Sequence, residues 1–390
     1  MAAQYHTIII GAGGIGSAAA FELARRGHRV LALDRFAPPH THGSTHGETR
    51  AIRLAYFEHP DYVPLLRRAY ELWSDVERLG GEPLFERVGL LQVGREDGEV
   101  CGGVLRSARQ HNLAVETLTP REVEQRFPGL RVPMTDVVGL VERDAGYLHV
   151  ERCVRTFLRL AVAAGAEVRT GATVSAIEPQ HDGSFVVRVG DEHLRAAHLA
   201  VCAGPWSARL PGMPALGLSL RRKMLVWYPL HEAHDPRYAT DGRCPVFLYE
   251  LPGGPAGGGE HGKVFYGFPS QDGATLKIGE HSGGTSLDDP AALDTSLRAD
   301  DRAGLESFLR AHLPGVNADA TPARHEACIY TMSKDGHFYV GRHPQHPRMA
   351  FVAGLSGHGY KFATVLGEVL ADLVTGVAPR VPLGAFAIDR

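Results

Sequence analysis

Neither sign of charge dominates this chain of 390 residues. Lysine and arginine number 41 and aspartate and glutamate 44, which gives a formal net charge of −3. A near-neutral chain offers no electrostatic attraction for nucleic acid or for an anionic membrane. Apolar runs of about 18 residues, the length that spans a bilayer, are also missing. We therefore expect a globular protein with a large core and with neither nucleic acid nor membrane as a partner.

Cysteine is scarce and follows no pattern. The five cysteines are Cys101, Cys153, Cys202, Cys244 and Cys328, with no Cys-x-x-Cys pair among them. An odd and scattered set is typical of neither a disulfide framework nor a zinc site, so we expect no metal centre. The chain enters an apolar segment at once, which leaves no room for a signal peptide. Together these observations predict a cytoplasmic protein.

Glycine, in contrast, has a clear spacing near the start of the chain. The apolar run 7–10 is followed by Gly11, Gly13 and Gly16 in a Gly-x-Gly-x-x-Gly motif, and a helical segment comes next. The first glycine permits a tight turn, the second lets a pyrophosphate approach the backbone, and the third lets the helix pack on the strand. The free N–H groups at the helix start favour phosphates. An ordinary strand-to-helix turn is the alternative, although it rarely requires three glycines.

A second apolar run, 29–33, ends at Asp34, where a carboxylate is well placed for a ribose hydroxyl. Strand, helix, strand and acid in this order predict a dinucleotide-binding unit, and we interpret the chain as a redox protein. The apolar run 199–206 ends in another glycine turn. It reads as a continuation of the same unit, which would then be discontinuous in sequence.

Periodicity predicts the remaining elements. Apolar residues at helical spacing predict helices over 62–79, 102–111, 120–127, 150–164, 299–313 and 362–374. Short β-rich runs at 220–228, 246–251, 264–268 and 275–279 predict an antiparallel sheet. Between two of these runs, segment 252–262 holds six glycines and two prolines, which predicts a loop at a hairpin tip.

Several separated blocks then match one family in order. They are 11–16 with Asp34, 38–53 with its Ser-x-His-Gly-x-Thr-Arg, 203–206, 266–269, 276–281, 327–331 with its Cys-x-Tyr-Thr, and 356–362 with its Gly-His-Gly-x-Lys. With these blocks the chain resembles the FAD-dependent amine oxidases of the monomeric sarcosine oxidase and N-methyltryptophan oxidase type. The glycine motif is shared by many flavoproteins and nicotinamide enzymes, whereas the later blocks are much more specific.

The resemblance implies an α/β fold with two domains. A Rossmann-like FAD-binding domain would comprise 1–85, 141–215 and 323–390. A second, α+β substrate domain built on an antiparallel sheet would comprise 86–140 and 216–322. The active site would lie between the two domains, and we expect a monomer.

The implied reaction is oxidation of the secondary amine of an amino acid, sarcosine or a similar N-methyl amino acid, to an imine. Hydrolysis would give an aldehyde and an amine, while oxygen would be reduced to hydrogen peroxide. N-methyltryptophan, pipecolate or another secondary amino acid is the alternative substrate. A flavin dehydrogenase with another electron acceptor, a flavoprotein without turnover and a nicotinamide dehydrogenase are the competing classes.

In the family, a cysteine at the position of Cys328 is joined to the flavin by a covalent thioether. Composition alone favours the alternative that Cys328 packs as a small, buried, hydrophobic side chain. His46 and Arg50 match residues near the flavin ring, where a cation would stabilise the reduced, anionic form. The alternative for His46 is a hydrogen bond within the loop, and the alternative for Arg50 is a surface salt bridge.

Arg53 and Lys361 match the pair that holds the substrate carboxylate. The planar guanidinium of an arginine can donate two hydrogen bonds to a carboxylate, and the lysine adds a single positive charge. Lys277 matches the lysine that activates oxygen. Its alternation with apolar neighbours in a predicted strand fits a surface lysine equally well. His281, with an ordinary pKa near neutrality, matches a substrate-site histidine that could relay protons.

Tyr266 and Tyr330 match two tyrosines that line the pocket, with core packing as the alternative. The cofactor site implied by the resemblance comprises Gly11, Gly13, Gly14, Ile15, Gly16, Asp34, Ser44, Thr45, His46, Arg50, Val174, Gly204, Trp206, Cys328, Gly357, Gly359 and Lys361. Glu280, directly before His281, departs from the family, where a tyrosine is common. Its carboxylate would either face solvent or change the pKa of the histidine.

Overall fold

The computed structural model describes residues 4–252 and 262–390, and this part of the chain holds seven α-helices and twenty strands. The helices are α1 (Gly14–Arg25), α2 (Tyr62–Gly80), α3 (Glu99–His111), α4 (Pro120–Arg126), α5 (Val150–Ala163), α6 (Ala299–His312) and α7 (Ala363–Thr375). Most of the loop predicted over 252–262 lies outside the described residues. Among the described helices, none is both long enough and apolar enough to cross a membrane.

The strands fall into three sheets. In chain order they are β1 (Tyr5–Ile10), β2 (Val30–Leu33), β3 (Thr49–Ile52), β4 (Phe85–Glu86), β5 (Leu90–Gly94), β6 (Glu116–Leu118), β7 (Val138–Glu142), β8 (Gly146–His149), β9 (Glu167–Arg169) and β10 (Val174–Pro179). The second half of the chain adds β11 (Phe185–Val189), β12 (Glu192–Val201), β13 (Ser219–Pro229), β14 (Val246–Leu251), β15 (Lys263–Gly267), β16 (Thr275–Glu280), β17 (Thr285–Leu287), β18 (Arg324–Met332), β19 (Tyr339–Arg342) and β20 (Met349–Ala353). The mixed α/β fold predicted from the sequence is confirmed.

The first sheet has eight strands in the order β10-β11-β12-β1-β2-β9, with β20 beside β12 and β19 beside β20. Strand β1 lies between β12 and β2 and is parallel to both. Its residues Ile8 and Ile9 are fully buried, as expected of a parallel strand with both faces covered. Helix α1 packs against α5 and α7, and the small side chain of Ala18 permits this approach. A Cβ added to Gly367 of α7 would lie 2.7 Å from the Cβ of Ala18.

The second sheet has nine strands in the order β17-β13-β16-β15-β14-β5-β7-β6, with β18 also paired to β13. Its strands are antiparallel except β14 and β5, which are parallel. The antiparallel pairing predicted for the four runs of β13 to β16 is confirmed, while the parallel pairing of β14 with β5 was not predicted. Parallel neighbours need a long connection, and more than 150 residues separate β5 from β14, so the sequence neighbours of each strand do not reveal the pair. Helix α6 covers this sheet with Leu305, Phe308 and Leu309, which are buried in its core.

A small third sheet has the strand order β3-β8-β4. It carries Arg50 on β3 and places the following loop, with Arg53, beside the cavity described below. Strand β18 belongs to the nine-stranded sheet, although it lies within the segment 323–390 that the sequence assigns to the cofactor domain. The domain boundaries stay a prediction.

Helix α3 begins at Glu99, earlier than the predicted start at Gly102. The carboxylate of Glu250 accepts hydrogen bonds from the backbone N–H groups of Glu99 and Val100, at 2.9 and 3.0 Å. These are two of the N–H groups that a helix start leaves without an intrahelical partner. The stabilising group comes from β14, far away in sequence, so local periodicity could not locate this end.

Candidate active site

A cavity of about 560 Å³ runs from the glycine motif to the face of the nine-stranded sheet. Nineteen of the predicted site residues line it: Gly11, Gly13, Gly14, Ile15, Asp34, Ser44, Thr45, Arg50, Arg53, Val174, Gly204, Trp206, Tyr266, His281, Cys328, Tyr330, Gly357, Gly359 and Lys361. Three others, Gly16, His46 and Lys277, lie behind this lining. The fold thus brings together residues from both ends of the chain.

The glycine motif forms the cavity wall at the ends of β1 and β2. Gly11 has φ +93°, and a Cβ there would lie 2.4 Å from the carbonyl oxygen of Cys202. A Cβ on Gly16 would lie 1.7 Å from the carbonyl oxygen of Gly11. On Gly13, in contrast, the nearest atom to a Cβ is Thr45 Oγ1 at 3.6 Å. The chain itself thus needs the first and third glycines, whereas the second leaves free space that faces the cavity.

The carboxylate of Asp34 closes this end of the site. Its two oxygens accept hydrogen bonds from the N–H groups of Ala12 and Phe36, both at 2.8 Å. Asp34 is buried and lines the cavity. The carboxylate is therefore held in one orientation, with its remaining acceptor capacity available to a bound hydroxyl.

Cys328 lies on β18 and is a free thiol at the cavity wall. Its Sγ is 3.8 Å from Nη2 of Arg50 and 4.0 Å from the carbonyl oxygen of Ser44. Burial raises the pKa of this thiol, but the neighbouring His46 imidazole and Arg50 guanidinium outweigh it and hold the pKa below its ordinary value. The site therefore favours the thiolate form, which is the nucleophilic one.

His46, on the loop before β3, is 1% exposed. Its Nδ1 is 2.7 Å from the Glu326 carboxylate. Burial opposes the charged imidazole, yet Cys328 and Glu326 raise the pKa of His46 to about 9. The loop that carries His46 is held in turn by Glu151, whose carboxylate accepts from the N–H group of Gly47 at 2.7 Å. Neither Glu326 nor Glu151 was identified from the sequence.

Arg53 and Lys361, which both line the cavity, meet at one buried aromatic ring. The guanidinium carbon of Arg53 lies 4.6 Å from the ring centroid of Tyr56, and Nζ of Lys361 lies 5.0 Å from it. Lys361 also donates to the carbonyl oxygen of His358 at 2.7 Å and to the Tyr56 hydroxyl at 3.2 Å. The two cations predicted to bind a carboxylate are thus close together in the fold.

A carboxylate of the chain already occupies one side of this pair. Glu58, which also lines the cavity, forms an ion pair with Arg53 at 2.9 Å. Burial raises the pKa of Glu58, but Arg53, His358 and Lys361 together lower it to about 2. Sequence reasoning missed Glu58 and Tyr56, because a single acid and a single tyrosine in a loop carry no spacing signal.

His281, Tyr266 and Tyr330 also line the cavity. The Nδ1 atom of His281 is 3.4 Å from the hydroxyl of Tyr330. Burial lowers the pKa of His281 to about 3, with Glu58 opposing this shift. The pKa of His281 in the fold therefore differs from its unperturbed value near neutrality, and this favours a neutral imidazole. The carboxylate that acts on His281 is Glu58, while Glu280 accepts a hydrogen bond from Ser282 at 3.0 Å.

Lys277 is 3% exposed, so the alternative of a surface lysine is wrong. Its Nζ donates to the carbonyl oxygens of Gly47 and Thr49 and to Oγ1 of Thr49, the last two at 2.7 and 3.1 Å. Burial and the charge of Arg50 lower its pKa well below the ordinary value. Three acceptors around Nζ nevertheless match the three donors of an ammonium group. The geometry therefore supports a protonated lysine that lies behind the cavity lining and is held by Gly47 and Thr49.

The model of the family described as FAD dependent oxidoreductase matches residues 6–373 of this chain. The chain belongs to this family. FAD is accordingly its cofactor. The chain is 38% identical over 388 residues to an N-methyl-L-tryptophan oxidase of Citrobacter koseri, covering 99% of both chains. It is 34% identical over 394 residues to a monomeric sarcosine oxidase of a Bacillus species, covering 100% of this chain and 97% of the other. The resemblance inferred from the sequence is confirmed.

Solved structures of flavoprotein oxidases share the fold of this oxidoreductase. NikD, an unusual amino acid oxidase essential for nikkomycin biosynthesis, superimposes with a TM-score of 0.84 at 25% identity, over 99% of this chain and 98% of the other. A glycine oxidase from Geobacillus kaustophilus has the same fold, with a TM-score of 0.78 at 20% identity over 99% and 98% of the two chains. The fold predicted from the sequence agrees with both.

The cavity of the oxidoreductase fits FAD. Free space beside Gly13 and the N-terminus of α1 suit a pyrophosphate, and the fixed carboxylate of Asp34 suits a ribose. The isoalloxazine ring would then lie near Arg50 and Cys328, at the boundary between the two large sheets. Tyr330 closes this region, since a Cβ on Gly357 would lie 2.2 Å from its ring.

Proposed function

We propose that this oxidoreductase oxidises the secondary amine of a small amino acid, with sarcosine or a similar N-methyl amino acid as substrate. The observation that carries the proposal is the meeting of Arg53 and Lys361 at the Tyr56 ring, on the wall of the FAD cavity. Two cations that share a buried wall provide a site for one carboxylate. The names of the 38% and 34% identical relatives support a substrate of this class.

The side chains of the site would orient the amine for oxidation. Arg53 and Lys361 would hold the substrate carboxylate, and the amine would then lie toward His281 and Tyr330. The pKa of His281 is about 3, so its neutral imidazole can accept a hydrogen bond from the amine without a competing positive charge. Bound FAD would accept the hydride of the carbon next to nitrogen, and the resulting imine would hydrolyse to an aldehyde and an amine.

Oxygen is the proposed electron acceptor, with hydrogen peroxide as the product. Lys277 supports this assignment, because a buried ammonium behind Arg50 adds positive charge where oxygen would take up electrons. A neutral residue in place of Lys277 would have favoured a dehydrogenase on the same fold. The oxidase names of the relatives agree with oxygen as acceptor.

Cys328 is the proposed point of covalent attachment of FAD. Its Sγ faces the cavity beside Arg50 and the pKa of the thiol is lowered, which favours the nucleophilic thiolate. All five cysteines are free thiols, which supports our expectation of a reducing, cytoplasmic environment. We also propose a monomer, as the name of the Bacillus relative suggests.

Loss of the oxidised flavin absorbance under anaerobic conditions tests the function directly. The protein would be mixed with sarcosine, N-methyltryptophan, pipecolate and other secondary amino acids, with primary and D-amino acids as controls. We expect rapid bleaching by one class of secondary amino acid, followed by recovery in air with formation of peroxide. Bleaching without recovery in air would indicate that the electron acceptor is a molecule other than oxygen. A flavin-loaded protein that no secondary amine bleaches would contradict the proposal.

A further inference from the structure

Tyr56 makes a different contact with each of the two cations predicted to bind a carboxylate. The guanidinium carbon of Arg53 lies 4.6 Å from the centroid of its ring, whereas its hydroxyl accepts a hydrogen bond from Nζ of Lys361 at 3.2 Å. The side chain is fully buried and lies behind the described residues that line the cavity. Tyr56 can therefore act on a ligand through the cations and not by direct contact.

The Tyr56 hydroxyl has a second partner, His358. The oxygen lies 2.7 Å from Nδ1 of this histidine, and Nε2 of the same ring is 3.0 Å from the carbonyl oxygen of Gly336. A carbonyl oxygen can only accept, so Nε2 carries a proton. Burial lowers the pKa of His358 to about 4, which indicates a neutral ring whose Nδ1 is an acceptor. The phenol proton of Tyr56 consequently points to Nδ1.

These proton positions give the hydrogen bonds one direction. Lys361 donates to the Tyr56 oxygen, Tyr56 donates to His358, and His358 donates to the Gly336 carbonyl. Hydrogen bonds in such a series polarise and strengthen one another. Among the described residues, Nζ of Lys361 has one further acceptor, the carbonyl oxygen of His358 at 2.7 Å. Its third N–H group is therefore available to a ligand in the cavity.

The backbone at both ends of the contact between Tyr56 and Lys361 is fixed by helices. Ser107 of α3 donates from its Oγ to the carbonyl oxygen of Tyr56 at 2.5 Å. Trp73 of α2 donates from its Nε1 to the carbonyl oxygen of Lys361 at 2.9 Å. With both ends held, the ammonium is already ordered, which reduces the entropy lost when a ligand binds to it.

We propose that Tyr56 and His358 are positioning residues of the carboxylate site. His358 orients the phenol of Tyr56, and the phenol holds the ammonium of Lys361 beside Arg53 before the substrate arrives. Tyr56 thus sets the spacing of the two cations, one through its ring face and the other through its hydroxyl. The inference rests on the proposed function, in which Arg53 and Lys361 bind the substrate carboxylate, and explains how that pair is held.

The test measures ligand binding by the flavin-loaded protein, from the change in flavin absorbance during a titration. Thiophene-2-carboxylate and its amide are the probes, because they share a flat ring and differ in charge. We expect Tyr56→Phe to weaken carboxylate binding about tenfold, the effect of losing one hydrogen bond to a charged group. Binding of the amide should change far less. Phenylalanine keeps the ring, so the contact with Arg53 remains.

A double-mutant cycle shows whether the hydroxyl acts through Lys361. If it does, adding Tyr56→Phe to Lys361→Met should cause little further loss of carboxylate affinity. Losses that multiply in the double variant, or an unchanged affinity in Tyr56→Phe alone, would overturn the inference. If Lys361→Met and Arg53→Ala both keep the wild-type affinity, the carboxylate site of the proposed function is itself wrong. The two failures are therefore distinguishable.

Variants of His358 test the series from its other side and keep the test decisive if Tyr56→Phe does not fold. His358→Asn can place an amide oxygen near the position of Nδ1 and so keep an acceptor for the phenol, whereas His358→Leu has none. We expect His358→Leu to weaken carboxylate binding as Tyr56→Phe does, and His358→Asn to restore most of the affinity. Equal losses in both variants would show that packing alone matters and would refute the role of the hydrogen bond.

The matched control is Tyr62→Phe. Tyr62 is also fully buried, and its ring centroid lies 5.0 Å from that of Tyr56. Its hydroxyl is 3.2 Å from Nδ1 of His337 and accepts from the N–H group of Phe338 at 3.3 Å, so it bonds the loop after β18 and neither cation. We expect wild-type binding of both probes. A loss equal to that in Tyr56→Phe would indicate a general loosening of the aromatic core, against the inference.

Nitrogen-15 NMR of the histidine rings provides a measurement that does not depend on ligand binding or activity. The signals of His358 are assigned by their loss in His358→Asn. We expect a protonated Nε2 and an unprotonated Nδ1 that accepts a hydrogen bond, and the Nδ1 signal should shift in Tyr56→Phe as this bond is lost. A proton on Nδ1 would reverse the direction of the series and overturn the inference.

Discussion

The guanidinium of Arg53 is paired with the carboxylate of Glu58 at 2.9 Å on the wall of the cavity. A substrate carboxylate that binds to Arg53 therefore enters a site where a carboxylate of the chain is already present. Nε of Arg53 is buried and has no hydrogen-bond partner among the described residues. This donor is available to an incoming anion, so Arg53 can serve Glu58 and a ligand together.

Arg53→Ala should weaken binding of a carboxylate inhibitor by about 10- to 100-fold, because a charge-assisted hydrogen bond contributes about 1.5–3 kcal/mol. Titration of the flavin absorbance with the inhibitor measures this affinity. Arg209→Ala is the control, since Arg209 also lines the cavity but its side chain is 52% exposed. Arg53→Ala alone would leave the buried Glu58 carboxylate without its partner, so the double variant with Glu58→Gln is measured as well. An unchanged affinity would remove Arg53 from the carboxylate site.

Stability should fall in acid through Glu58. Its pKa in the folded chain, about 2, lies below the ordinary value of 4.5. Its contribution is therefore present above about pH 4.5 and is lost as the pH falls toward 2, with an upper bound of about 3 kcal/mol. Urea unfolding at several pH values should show a smaller loss over this range for Glu58→Gln. The exposed Glu71→Gln should behave as wild type, and equal losses in all three proteins would refute the prediction.

Lys277→Met should slow reoxidation of the reduced flavin by oxygen by about 100-fold or more, the usual effect of removing a group that stabilises developing charge. Reduction by the amine should change far less. Stopped-flow absorbance measures the two half-reactions separately. Lys223→Met provides the control, as a second buried lysine that bonds a backbone carbonyl, that of Ser282. Equal slowing of both half-reactions in Lys277→Met would indicate a structural role.

Cys328→Ser should release FAD when the protein is denatured, whereas wild-type chain should retain it. Acid precipitation followed by absorbance of the supernatant distinguishes the two results. Cys202→Ser is the matched control, because Cys202 is also a free thiol that lines the cavity. Flavin that stays with the Cys328→Ser chain would show that attachment, if covalent, involves another residue.

Gly13→Ala should reduce FAD binding while the chain still folds, because its Cβ would enter the cavity, with Thr45 Oγ1 at 3.6 Å as its nearest neighbour. Gly16→Ala should instead destabilise the fold itself, since the added Cβ would lie 1.7 Å from the Gly11 carbonyl oxygen. Thermal unfolding together with flavin content separates the two effects. A Gly13→Ala protein with a full complement of FAD would contradict the proposed position of the pyrophosphate.

Local periodicity located most of the long helices to within a residue or two, including α2, α5 and α7. It failed where a distant group sets the structure. Glu250 determines the start of α3, and the parallel pairing of β5 with β14 joins strands that share no local pattern. Contacts of this kind form only in the folded chain and leave no periodic signal in the sequence.

The same division holds in the active site. The sequence by itself determined the glycine motif, Asp34 and the family blocks, because their spacing is local and their chemistry follows from residue type. Only the tertiary structure placed Arg53 and Lys361 at one ring, buried Lys277, paired Glu58 with Arg53, and brought His46 into contact with Glu326. Burial and charge depend on every neighbour in space, and these neighbours come from segments far apart in the chain. For that reason the pKa of His281 departs from its ordinary value, which was the only value that the sequence could supply.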